Sequence, residues 1–208
     1  MNAISLVKKI VEKELRKNGD HDYSHTMRVY ANAMKIAKKE KCDPEIVALA
    51  SLLHDISEGE GHRMHHLSSA KRAREILTEL KCPERVISGV ERAVLAHRFS
   101  MPPEPSTIEA KIVQDADRLD ALGAVGIARC FSFGGRFNRK LYDERNLIRE
   151  KTNPKKSRTQ ASVDHFYLKL LNLKDKMHTK TARKIALERT KFMEKYLKQF
   201  GKEIRGEA

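Results

Sequence analysis

The sequence predicts an all-α protein, built as a single helical bundle with a basic loop insertion and C-terminal helices. Three observations predict it. Apolar residues recur at helical spacing in segment after segment, with Lys and Glu on the opposite faces. The composition is highly charged, poor in aromatic residues and free of Trp, which suits a helical protein better than a β-sandwich. Helix start and stop signals punctuate the chain at Asn18-Gly19, Asp43-Pro44, Pro83 and Gly201. The 208 residues suffice for one substantial domain and hardly for two.

Taken in order, residues 3–17 form an amphipathic helix with Ile4, Val7, Val11 and Leu15 on one face, closed by Asn18-Gly19-Asp20. A second helix spans roughly 24–40, with Val29, Ala33 and Ile36 on one face and His25 in its first turn. Asp43 caps the third helix and Pro44 takes its first position, where a missing N–H costs nothing. Residues 57–65 are a polar loop carrying Glu58, Glu60, His62 and His65. His66 opens a helix over about 66–80 with Ala70, Ala73 and Leu77 inward. Pro83 starts another, with Val86, Val90 and Val94 inward and His97 near its end. Met101-Pro-Pro-Glu-Pro105 is a rigid linker. Ser106 with Glu109 reads as a capping box for the next helix. Gly123 and Gly126 come next; a glycine inside a helix costs about 1 kcal/mol relative to Ala, so close packing against another helix is expected there. Residues 134–160 hold nine Lys or Arg against three Asp or Glu, with weak periodicity, and read as a long insertion. Helices resume over 161–174 and 179–200, with Leu168, Leu171, Ile185, Phe192 and Leu197 assigned to the core.

The net charge of +14 favours anionic partners: nucleic acid, phosphorylated small molecules or acidic lipid head groups. The cysteines Cys42, Cys82 and Cys130 are odd in number and far apart, which reads as reduced thiols in a cytoplasmic protein. No apolar run approaches membrane-spanning length, and the first ten residues lack signal-peptide order.

The chemistry concentrates at Leu52-Leu-His-Asp55. Val47, Ala50 and His54 share a helix face, so the imidazole lies on the core side. A buried imidazole needs a partner on each nitrogen or a metal on one. A buried Asp55 is costly unless paired or coordinated. One divalent ion answers both demands. His25 reads alone as a packed core histidine and gains meaning beside His54. Asp115, Asp117 and Asp120 stand among apolar neighbours, and their mutual repulsion favours a cation.

The ordered set resembles the HD-domain superfamily of metal-dependent phosphohydrolases. The resemblance rests on His-Asp-Tyr-Ser-His-Thr-Met-Arg-Val at 21–29, Leu-Leu-His-Asp at 52–55 and Gln-Asp-Ala-Asp-Arg-Leu-Asp-Ala-Leu-Gly at 114–123. With Ser-Val-Asp-His-Phe-Tyr-Leu-Lys-Leu at 162–170, these look like one bacterial and archaeal branch of it. The resemblance implies a metal-site core over 18–133, the insertion at 134–160 and C-terminal helices over 161–201 within one domain of residues 1–208. It implies His25, His54, Asp55 and Asp117 as metal ligands for Mn, Fe, Co, Ni or Mg. Some members hold two ions, and His66 and His97 stand about where the further ligands would be, with Asp55 as the bridge. In nucleotidase-like members a Glu three residues beyond the doublet is catalytic, and Glu58 matches that position. Glu58 or Asp117 is then expected to handle the proton, and Lys71, Arg72 and Arg118 to meet the phosphate. The implied activity is hydrolysis of a nucleoside phosphate, at a monoester or within a pyrophosphate. The alternatives are a cyclic-nucleotide phosphodiesterase, an alarmone hydrolase, or a basic nucleic-acid-binding protein with a structural metal. A homo-oligomer is compatible with all of these; a membrane partner is not expected.

Overall fold

The computed structural model describes residues 2–15, 23–57, 65–98, 102–143 and 161–207. Among these there is no β-strand, and the architecture is all-α. The chain divides into two compact units, Met1–Asp117 and Arg118–Ala208, so the division falls within the 18–133 segment read above as one core.

The first unit contains α1 (Ala3–Leu15), α2 (Tyr23–Ala37), α3 (Pro44–Leu53), α4 (His65–Glu79), α5 (Glu84–Leu95) and most of α6 (Ile108–Asp120). Its centre is α3. Ile46 to Leu53 carries no charged side chain, and every one of these residues is buried. A helix apolar all round belongs inside, and α1, α2, α4 and α5 pack around it. Its lone hydroxyl, Ser51, is satisfied locally by donating to the Ala48 carbonyl at 2.9 Å. Asp43 caps α3 as the sequence predicts, accepting from the Glu45 and Ile46 amides at 3.0 and 3.3 Å.

The cap of α6 differs from expectation. The Thr107 hydroxyl, not Ser106, accepts the Ala110 amide at 3.2 Å. Because the helix begins at Ile108, Thr107 is the residue placed to reach that amide. Glu109 serves elsewhere, accepting the Asp43 backbone N–H at 2.9 Å.

The second unit holds α7 (Gly123–Arg136), α8 (Ser162–Leu168), a 3-10 helix (Leu170–Lys176) and α9 (Lys180–Ile204). Its core includes Phe166, Leu170, Leu173, Met177, Ala182, Ala186, Met193 and Leu197. Gly123 is not in a helix interior. It opens α7 at φ +74°, a conformation that side chains strain to adopt, at the turn following α6. A Cβ on Gly126 would stand 2.2 Å from the Ala121 carbonyl oxygen, so the close neighbour is the chain's own turn and not another helix. Gly134 and Gly135, read as the start of the insertion, belong to α7. Beyond it, the Ser162 and Val163 amides donate to the Lys140 and Leu141 carbonyls at 2.8 and 3.0 Å. The rest of the insertion, 144–160, lies outside the described residues. Thr179 caps α9 by accepting the Ala182 amide at 3.1 Å, and α9 runs past Gly201 to Ile204. The three cysteines are free, and burial pushes the Cys130 thiol up to about 11, which leaves it protonated. Among the described residues no helix is long and apolar enough to cross a membrane.

Phe192, expected in the core, is 50% exposed. The buried stripe of α9 runs through Ala182, Ala186, Thr190, Met193 and Leu197, and Phe192 stands one step of about 100° from it. Leu49→Ala should therefore lower the unfolding free energy by about 2–5 kcal/mol, and Phe192→Ala by no more than about 0.5 kcal/mol. Urea denaturation of the two variants measures this; an equal loss in both would contradict the packing described.

Candidate metal centre

The apolar run of α3 ends inside the unit, in two polar side chains. His54 is fully buried and Asp55 almost so. At this end of α3 the last carbonyls lack helical partners and favour positive charge. Other helix ends bring further donors. His25 lies in the first turn of α2 and is fully buried, and His65 is the first residue of α4. His97 lies just past α5, and Asp117 comes from the last turns of α6.

The donors fall into two groups that share Asp55. In the first, His54 Nε2 is 3.3 Å from His25 Nε2 and 3.3 Å from Asp55 Oδ2. His25 Nε2 is 3.7 Å from Asp55 Oδ2 and 3.6 Å from Asp117 Oδ1. In the second, Asp55 Oδ1 is 3.4 Å from His65 Nε2 and 3.2 Å from His97 Nε2. Donor atoms around one ion with ligand bonds near 2.1 Å lie about 3.0–3.4 Å apart. Four of the six spacings, at 3.2–3.4 Å, fall in this range, and the two from His25 to the carboxylates, at 3.6 and 3.7 Å, are slightly wider.

Tautomers strengthen the fit. His54 Nδ1 is 2.9 Å from the Ser51 carbonyl, and His97 Nδ1 is 2.6 Å from the Val94 carbonyl. A carbonyl only accepts, so both Nδ1 atoms carry the hydrogen and donate it. In the neutral rings both Nε2 atoms then present lone pairs, His54 towards His25 and Asp55, His97 towards Asp55. Facing lone pairs repel unless a proton or a metal lies between them. This outer hydrogen bonding is the kind that orients metal-bound histidines.

The electrostatics agree. Burial pushes the His54 imidazolium down, but the charge and hydrogen bond of Asp55, with Asp117 beyond, raise it to about 9. Burial would raise the Asp117 carboxyl, yet His25 and His54 hold it below its ordinary value on balance. Asp117 keeps 31% of its side chain open to solvent. The group as a whole demands a cation.

These distances meet a consistent relationship. A family model for the HD domain matches residues 22–122. YpgQ of Bacillus subtilis is 38% identical over 197 residues, which span 91% of this chain and 87% of YpgQ. The chain belongs to the HD-domain superfamily. Among solved structures, this HD protein is similar to Bacillus subtilis YpgQ in complex with ADP, with a TM-score of 0.76 and 35% identity over 97% of this chain and 94% of that one. It is also similar to an HD-superfamily hydrolase from Bacillus thuringiensis, with a TM-score of 0.74 and 36% identity over 98% and 95% of the two chains.

The structure brings together His25, His54, Asp55 and Asp117, all four of the residues drawn from the HD resemblance. It differs at the second group, where His65 takes the place expected for His66. His66 lies on the stripe of Ala70, Ala73 and Leu77, at helical spacings of four, seven and eleven, so it faces the core, buried. His65 is one step of about 100° round the helix. That stripe was the signal available in the sequence. Arg72 meets Glu14 at 2.9 Å and Glu75 at 3.4 Å, which neutralises the charge expected to meet a phosphate. Arg118 is buried and donates to the Lys176 carbonyl. Lys71 is exposed on α4. Asp120 ion-pairs with Arg129 within the second unit. Glu58, with Glu60 and His62, lies outside the described residues.

Metal and proton compete for His54 Nε2. Cobalt or manganese affinity should rise with pH up to about 9, with proton release on uptake near neutral pH. Calorimetric titration in buffers of different ionisation heat measures that release; uptake with none would contradict the proton-bound state. In the ion-free protein the same raised value adds stability that is complete below about 6.5 and fades as pH rises through about 9.

Proposed function

We propose that this protein is a metal-dependent phosphohydrolase acting on nucleoside phosphates, at a phosphomonoester or a pyrophosphate bond. The observation that carries this reading is the convergence of four histidines and Asp55, with Asp117, at the end of the buried helix α3. Its nucleotide half is supported by the ADP complex of YpgQ. His25, His54, Asp55 and Asp117 would hold one divalent ion; Asp55, His65 and His97 offer a place for a second. Such an ion lowers the pKa of bound water and polarises a phosphoryl oxygen.

The chain's own contributions come from its geometry. The Ser51 and Val94 carbonyls hold His54 and His97 in the tautomer that presents Nε2. Asp117, partly open and held ionised, is the described carboxylate suited to accept a proton from attacking water. Glu58 keeps its proposed share of that role from its place three residues after Asp55. Lys71, exposed on the helix that begins with His65, is a proposed phosphate partner, with Arg72 and Arg118 as the further basic candidates.

The test is release of phosphate and pyrophosphate from nucleoside mono- and triphosphates with Mn, Co, Ni and Mg. Asp55→Ala should reduce the rate by more than about 100-fold, beyond the loss from removing an outer partner of a ligand. No release from folded, metal-loaded protein would sink this reading.

A companion comparison concerns the second group. His65→Ala should lower the rate and the bound metal content together. His66→Ala should lower thermal stability first, because it opens a core position. Unchanged rate and metal content in His65→Ala would confine the chemistry to the first group.

A further inference from the structure

The charge of this chain is unevenly divided. Residues 1–117 carry 19 Lys and Arg against 18 Asp and Glu, whereas residues 118–208 carry 23 against 10. Nearly the whole net charge of +14 therefore belongs to the second unit. The unit with the candidate metal centre is close to neutral, so this charge is not explained by that chemistry. Asymmetry of this kind is a signature of polyanion binding.

Within the second unit the charge is ordered. The 25-residue helix α9 carries Lys180, Lys184, Lys191, Lys195, Lys198 and Lys202, at separations of 4, 7, 4, 3 and 4 residues. At 100° per residue these six fall within an arc of about 60° and span about 33 Å of helix. All six are exposed. Among the described residues none of them forms a direct ion pair with a carboxylate, and Lys202 alone lies near enough to one, Glu207, to help hold it ionised. Two acids on the outer side of α9 have partners: Glu194 meets Lys174 at 3.7 Å, and Glu203 takes the Gln199 amide at 2.8 Å. Glu188 flanks the one gap in the row. Lysines placed in one line without direct ion pairs repel one another along the helix, a cost that an anionic partner removes.

We propose that the outer side of α9 binds the phosphate backbone of a single-stranded nucleic acid. Lysines are compact point charges on flexible stems, suited to successive phosphates without reading sequence. The row is held straight because the opposite stripe of α9 is fixed in the core of the unit. Stacking surfaces lie in the same unit. Phe192 stands exposed on the flank of the row. At the end of α7 the exposed rings of Phe133 and Phe137 are 4.6 Å apart, with the Arg139 guanidinium 5.2 Å from the first and Arg136 5.7 Å from the second. A cationic track flanked by an exposed ring, here Phe192, is the combination that holds single strands, and the Phe133–Phe137 pair adds a second exposed aromatic surface elsewhere in the unit.

Two other occupants fit less well. An amphipathic helix on an acidic membrane inserts its apolar face, and α9 has buried its own against α7 and the 3-10 helix. A second copy of the chain would bring an identical lysine row against this one and be repelled.

The experiment is fluorescence anisotropy of a labelled oligouridylate against the full chain over a salt series. Six phosphate contacts on a single strand give a log–log slope of about −4, at about −0.7 per contact. The triple variant Lys191→Gln, Lys195→Gln, Lys198→Gln should reduce the slope by about 2. A charge-matched control, Lys35→Gln, Lys38→Gln, Lys39→Gln on the first unit, should keep the original slope. Both variants alter exposed side chains only, and unchanged hydrolysis of a free nucleotide would confirm that each is folded. No binding at low salt, or an equal loss in both variants, would overturn the proposal, the second by showing a response to net charge alone. Binding to phosphatidylserine vesicles that depends on the row, with oligouridylate binding unaffected by it, would overturn it in favour of a membrane.

Discussion

A helix buried on every side that ends in a histidine and an aspartate sets the terms for the first unit. α3 brings eight uncharged residues through the core and then leaves two polar side chains buried at its end. An isolated buried carboxylate is too costly to persist, so the surrounding helices must supply compensation. They do so with their ends. The start of α2, the start of α4, the exit of α5 and the last turns of α6 each bring a donor to this point. Packing and chemistry are therefore one problem here. The same crowding that buries the doublet gathers imidazoles around a charge.

Asp55 is the hinge of that arrangement. Its two oxygens face different histidines, Oδ2 towards His25 and His54, Oδ1 towards His65 and His97. Each face presents nitrogen lone pairs to a negative oxygen, which is stable only with positive charge between them. The raised His54 value is how the protein alone meets the demand, by holding a proton. A divalent ion meets it with more charge and with directed bonds. Membership of the HD superfamily and the spacing of the donors thus support the same reading from independent directions.

Much of this was legible in the sequence because it depends on local pattern. The cap at Asp43-Pro44, the apolar run after it and the doublet at its end are written within a dozen residues. The departures occur where a single residue step matters. Ser106 and Thr107 are equally able to cap, and only the start of α6 chooses. His65 and His66 are chemically alike, and the choice depends on which one continues the Ala70 and Ala73 stripe. Phe192 is apolar enough for the core, yet the buried stripe of α9 passes beside it. Gly123 serves a turn with positive φ, a requirement that composition does not announce. Arg72 and Arg118 meet oxygens that the sequence does not place beside them. Their partners Glu14 and the Lys176 carbonyl come from distant points of the chain, and no local pattern links them.

The carbonyls of Ser51 and Val94 have a consequence for how such a site can drift over generations. In many metal proteins the group that orients a histidine is another side chain, and a single codon change removes it. Here the orienting atoms belong to the main chain, one turn before each ring. Every amino acid supplies that oxygen, so replacing the residue at either position leaves the ring's tautomer in place as long as the helix persists. The side chains of residues 51 and 94 are in this respect free to change, while the two imidazoles keep the same nitrogen turned inward.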